Sequence, residues 1–191
     1  MARWQPDAPG RLATAALELF EERGFDATTA AQIAERAGVT ERTFFRHYAD
    51  KREVFFDGGA ALEAAATASI EQADAAATPF AVAGDAARAA AAVLPLERLP
   101  FARRRQAIID ATPRLQEREL LKMASLAAAV ARGLEARGAD PATAAIAAEG
   151  AIAAFRVAFL RWIAPENAGP ITYEQCVADA LAALRAVAAA T

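Results

Sequence analysis

Cysteine and histidine are almost missing from this chain of 191 residues, which has one of each, Cys176 and His47. A lone cysteine forms no intrachain disulfide and fits a reducing, cytoplasmic setting. One Cys and one His far apart in sequence do not make a zinc site, so no metal and no cofactor are expected. Serine occurs only at Ser69 and Ser125, neither with a histidine nearby in sequence. There is no phosphate-binding loop and no nucleophile-elbow glycine pattern, so the chain reads as a non-enzyme. Residues 1–10 carry no apolar run, so no signal peptide is expected. No 18-residue stretch is both apolar and free of charge, so none is expected to cross a membrane. Basic excess is absent too: the net charge is -3. Any grip on nucleic acid must come from a local patch rather than from overall charge. Strands have no foothold, because β-branched and aromatic residues do not gather into alternating runs.

Alanine fills the space left by these absences, with 58 residues in a chain that is 55% hydrophobic. Alanine has the best intrinsic helix propensity, so the expectation is an all-α chain with a real core. Proline, glycine and capping residues divide it into about nine helical segments. The first runs from about Pro9 to Arg23, with Leu12, Ala16, Leu19 and Phe20 on one stripe and Gly24 at its stop. Thr29 with Gln32 reads as a capping box for the second, which buries Ile33, Ala34 and Ala37 and ends at Gly38. Thr40 opens the third, about 41–48. Asp50 with Glu53 caps a fourth that should reach about Ala76, carrying Gly58-Gly59 as a weak point near its start. The fifth and sixth lie near 80–94 and 101–111. Thr112-Pro113 and Asp140-Pro141 open the seventh and eighth. Thr172 with Gln175 caps the ninth, which should run nearly to Thr191.

The second and third segments, joined by the tight turn Ala37-Gly38-Val39-Thr40, form the pattern of a helix-turn-helix. Glycine at the turn permits the left-handed backbone a sharp reversal needs. The third helix exposes Glu41, Arg42, Thr43, Arg46 and His47 while Phe44 packs inward, and a slim polar, cationic helix suits the major groove of DNA. The runs 19–25, 33–40 and 43–48 (LFEERGF, IAERAGVT and TFFRHY), with Thr29 and Lys51, resemble the TetR family of transcriptional regulators over about residues 11–56. The resemblance implies an all-helical homodimer with a DNA-binding domain at 1–50 and a ligand-binding and dimerisation domain at 51–191. Carried over by position, Thr29 meets a phosphate of double-stranded operator DNA. Thr40, Glu41, Arg42 and Thr43 read bases, Arg46 and His47 lie at groove and backbone, and Tyr48 and Lys51 grip phosphate. Many family members have Tyr where this chain has Phe45, so Phe45 is expected only to pack. Residues 1–56 hold 8 Lys+Arg against 9 Asp+Glu. Affinity should therefore come from the small patch of Arg42, Arg46, Lys51 and Arg52, doubled by dimer symmetry.

The eighth segment is apolar on two sides, with Ile152, Phe155, Phe159 and Trp162 on one stripe and Ile146, Gly150, Ala153, Val157 and Leu160 on another. A helix apolar on two sides is buried on two sides. The family resemblance implies that the eighth and ninth helices form the dimer interface; the same stripes also read as core. Residues 112–126, with 43–46 and 155–159, are similar to family members whose C-terminal domain binds acyl-CoA-like ligands, the mycofactocin-regulator type. That implies a small apolar or acyl-CoA-like effector in a long apolar pocket. Arg103 and Arg104, within a run of three arginines, are candidates for its phosphates, or else part of a solvated helix face. Met123, Phe155, Phe159 and Trp162 are candidate lining residues, or else core. Cys176, on the apolar side of the ninth helix, reads as a buried structural thiol. The functional expectation is a repressor released from its operator by ligand. The alternative is a DNA-binding regulator without a small ligand, controlled by a protein partner.

Overall fold

The computed structural model describes residues 7–166 and 171–190. The reading of residues 1–10 as lacking a signal segment falls largely outside these. Among the described residues the chain forms nine α-helices and no strand: α1 (Ala8–Arg23), α2 (Ala30–Arg36), α3 (Glu41–His47), α4 (Gly59–Gln72), α5 (Pro79–Ala92), α6 (Leu99–Asp110), α7 (Pro113–Ala136), α8 (Pro141–Ile163) and α9 (Tyr173–Ala189). Local chemistry sets most boundaries. The hydroxyls of Thr29, Thr40, Thr78 and Thr172 each accept a hydrogen bond from the backbone N–H three residues on, and Thr29 and Thr172 make complete capping boxes with Gln32 and Gln175. Asp140 accepts from the N–H groups of Ala142 and Thr143.

The fourth helix departs from the sequence expectation. Asp50 does accept from the N–H of Arg52 at 2.7 Å, but the next element is a single 3-10 turn, Glu53–Phe55, and α4 begins only at Gly59 and ends at Gln72 rather than near Ala76. Val54, Phe55 and Phe56 are all buried. Three consecutive residues spread over about 200° of an α-helix and cannot share one buried face, so the chain leaves the α spiral there. Gly58-Gly59 then stands at the start of α4, where the propensity cost of glycine in a helix interior does not apply.

The chain divides into two compact units. One comprises the chain up to Gly58 and returns for Arg104–Glu119; the other holds Gly59–Arg103 and Leu120–Thr191. The first unit packs α1, α2 and α3 around Leu12, Leu17, Leu19, Phe20, Ile33 and Phe44, and the returning stretch adds Ile109 and Leu115 to its buried residues. Arginines fasten that stretch. Arg104 donates to both carboxylate oxygens of Glu21 (2.8 and 2.5 Å), Arg118 engages both oxygens of Glu53, and Arg105 donates to the Phe55 carbonyl at 2.8 Å while lying over the Phe56 ring. Burial pushes the Arg105 pKa down, and Glu119 opposes that.

In the second unit α5 packs against α4, α8 and α9. Its core is alanine-rich, with Val82, Val130, Leu134, Trp162 and Tyr173 as its largest fully buried members. Helix α8 is long and apolar enough by length and composition to cross a membrane. Here its inner stripe is a core face: Ile152, Phe155 and Trp162 are buried. Its other stripe is open, with Ile146 74%, Val157 63% and Leu160 56% exposed.

Candidate nucleic-acid interface and effector site

The turn between α2 and α3 is built by its backbone. Gly38 adopts φ +68°, its N–H donates to the Glu35 carbonyl, and the Val39 N–H reaches back to Ala34 at 2.9 Å. A left-handed residue here favours glycine, because a Cβ would crowd the following carbonyl. Ile33 and Ala34 of α2 and Phe44 of α3 bury the inner faces. Thr40 caps α3 by accepting from the Thr43 N–H at 3.1 Å, and the two hydroxyls lie 3.0 Å apart. With Phe44 inward, the outward arc carries Thr40, Glu41, Arg42, Arg46 and His47 exposed, and Thr43 half-buried.

Charge pairing separates the cations of this unit. Arg36 bonds Glu22 and Glu18, Arg52 bonds Asp50, Arg104 bonds Glu21, Arg114 faces Asp26 and Arg118 bonds Glu53. Arg42 and Arg46 make no ion pair among the described residues. The expected four-cation patch is thus narrower: Arg52 is held by Asp50, whose carboxyl its guanidinium keeps below the ordinary range.

Three of the sequence assignments change. Lys51 does not present its ammonium outward. It donates to the carbonyls of Phe25 (2.6 Å), Thr28 (2.8 Å) and Asp26 (3.4 Å), and sits 4.2 Å from the centre of the Phe25 ring. Partial burial lowers its pKa. Tyr48 is 3% exposed, and its hydroxyl donates to Asp57 at 3.2 Å. Burial and the Asp57 charge push its pKa up. Phe45, expected to pack, is 52% exposed. The helix end explains the exchange. Tyr48 is the C-cap of α3 with extended backbone (φ -132°, ψ 132°), which takes its side chain off the helical spiral and sets its ring 5.6 Å from that of Phe44. Phe45 remains on the spiral, next to Phe44, and faces out. Thr29 is exposed, and while its oxygen accepts from Gln32 its hydroxyl proton is still free to donate.

The candidate effector residues also acquire partners. Arg103 donates to the carbonyls of Ile163 and Ala164, both at 2.8 Å, closing the C-terminal end of α8, where helical carbonyls lack intrahelical donors. Arg104 is held by Glu21. Met123 packs at the edge of the second unit's core. Phe155, Phe159 and Trp162 form a ring cluster with Tyr173, which stacks on Trp162 at 5.3 Å and donates its hydroxyl to the Phe155 carbonyl at 2.9 Å. Tyr173 was missed from sequence, although it stands three and four residues before Cys176 and Val177 on the same apolar stripe. Cys176 is fully buried, and burial raises its pKa.

Residues 12–57 match the family model of bacterial regulatory proteins, tetR family. Over 56 residues the chain is 48% identical to the HTH-type transcriptional regulator TcmR of Streptomyces glaucescens, a match covering 29% of this chain and a quarter of that protein's length. Two solved structures share the fold over nearly their whole length. A TetR-family transcriptional regulator from Syntrophomonas wolfei superimposes with a TM-score of 0.62 at 16% identity, covering 95% of each chain. The SmeT–triclosan complex gives 0.60 at 20% identity, covering 94% of this chain and 90% of that one. Residues 12–57 are therefore similar to the helix-turn-helix domain of the tetR family of bacterial regulatory proteins, in a chain that shares the fold of solved TetR-family structures.

Proposed function

We propose that this chain is a cytoplasmic transcriptional regulator that binds operator DNA as a homodimer and lets go when a small effector enters its second unit. One observation carries the DNA reading: α3 presents Arg42 and Arg46, four residues apart on one exposed face, while acids hold Arg36, Arg52, Arg104, Arg114 and Arg118 elsewhere in the first unit. A helix of this kind fits the major groove, where arginine pairs with guanine. Thr40, Glu41 and Thr43 lie beside Arg42 at the base edges, Arg46 and His47 lie at the groove and backbone, and the Thr29 hydroxyl donates to a phosphate. Tyr48 and Lys51 leave the DNA set. The reading surface thus ends near residue 50, and within residues 51–191 it is the second unit, 59–103 and 120–191, that serves dimerisation and effector binding.

Dimerisation is supported by the open stripe of α8, continued by Val187 of α9, which is 69% exposed. Two α3 helices about 34–36 Å apart enter successive major grooves on one face of the duplex. The effector is a small apolar molecule, as the triclosan held by SmeT suggests. An acyl-CoA-like effector would have to take its phosphates elsewhere than Arg103 and Arg104. The test is to sequence the DNA fragments that the purified protein selects from a random pool. Arg42→Ala should then weaken binding to the selected site by ~1–3 kcal/mol, the worth of a good base contact. Unchanged affinity in Arg42→Ala would remove α3 from base reading.

A further inference from the structure

Phe45 is an apolar side chain on an otherwise polar reading surface, and it is 52% exposed while its neighbour Phe44 is fully buried. At about 100° per residue, Phe45 stands roughly 60° round α3 from Arg42, within the same outward arc. Its ring meets that of Phe44 edge-on, with centroids 5.3 Å apart and planes at 80°. A buried ring thus supports the exposed one from below and limits how far it can fold away. A phenyl group has no hydrogen to donate to phosphate and nothing to offer a polar base edge. The major groove holds one apolar group, the C5-methyl of thymine. Arg42 and Arg46 beside it, with no acid engaging them among the described residues, favour a polyanion over an apolar protein face.

We propose that Phe45 reads the 5-methyl group of a thymine in each operator half-site. This rests on the assignment of α3 to the major groove and names what one more of its residues recognises. The contact is specificity-determining, because cytosine lacks the methyl group, as does deoxyuridine, which otherwise pairs as thymine does.

The experiment uses the full chain and a duplex taken from its selected sites. Thymines are replaced one symmetric pair at a time by deoxyuridine, and affinity is measured by fluorescence anisotropy. At one position per half-site the loss should be about fourfold per methyl, or roughly 15-fold for the pair, the factor expected for burying one carbon's worth of apolar surface. Phe45→Ala should weaken the thymine duplex and bind thymine and uracil duplexes equally. Phe45→Leu, which keeps an apolar group, should retain part of the preference, and it replaces the alanine variant if that one does not fold. A flat uracil series, or a Phe45→Ala protein that keeps the full thymine preference, overturns the contact while leaving operator binding intact. A selection that enriches no sequence overturns both.

Discussion

Replacing Lys51 by methionine, an unbranched side chain one heavy atom shorter that carries no charge, should cost stability and leave the salt dependence of DNA binding unchanged. The ammonium makes two short bonds, to the carbonyls of Phe25 and Thr28, and a longer one to Asp26. Hydrogen bonds to charged groups contribute ~1.5–3 kcal/mol each. The Phe25 carbonyl also accepts from the Thr28 N–H, at 3.3 Å, so it is not left bare. Allowing for that and for the part exposure of the site, the loss should be about 2–4 kcal/mol. In a chain of this size it lowers the thermal midpoint by roughly 5–15 °C. A phosphate contact behaves differently: it leaves stability alone and flattens the slope of log K against log salt by ~0.9 per protomer. Thermal melts of the free protein and operator titrations between about 50 and 200 mM salt, the range over which such contacts declare themselves, therefore separate the two roles. A Lys51→Met protein that melts like the parent but loses salt slope would refute the interior role.

The open stripe of α8 predicts that Val157→Glu and Leu160→Glu each leave the protomer's fold within about 0.5 kcal/mol, since both sites are exposed there, yet yield monomers by light scattering. A stable dimer in both variants would move the interface elsewhere. The Arg104 guanidinium holds the Glu21 carboxyl below its ordinary value of 4.5. A depressed folded pKa gives stability that is present above pH 4.5 and lost as pH falls through the lower folded value. Both side chains are well exposed, so Glu21→Gln should cost only ~0–1 kcal/mol at neutral pH. The difference in melting between parent and variant should disappear well below pH 4.5, and one that persists in acid would mean the pair contributes by packing instead.

The helix-turn-helix was legible because its signals are local. Thr29 and Thr40 as caps, Gly38 at the turn and the inward spacing of Ile33, Ala34 and Phe44 are properties of a few adjacent residues, and each stands where the spacing put it. The two apolar stripes of α8 were legible for the same reason, being a matter of helical period. Period alone left open which stripe the chain covers; packing against α5 and α9 buries Phe155 and Trp162 and leaves Ile146 and Val157 outside.

What the sequence determined by itself was the all-helical architecture, most of its boundaries and the polar part of the outward face of α3, since backbone propensity and capping act within a turn or two. Only the tertiary structure decided what the long and terminal side chains do. Lys51, Arg103, Arg104 and Arg118 reach partners 23 to 83 positions away in sequence. Tyr48 turns inward because the helix ends one residue before it, and the α4 start slips to Gly59 because Val54, Phe55 and Phe56 all find a core. A flexible side chain with a charged tip goes wherever the fold brings an acid or an unsatisfied carbonyl, and no local spacing encodes which of these will be near.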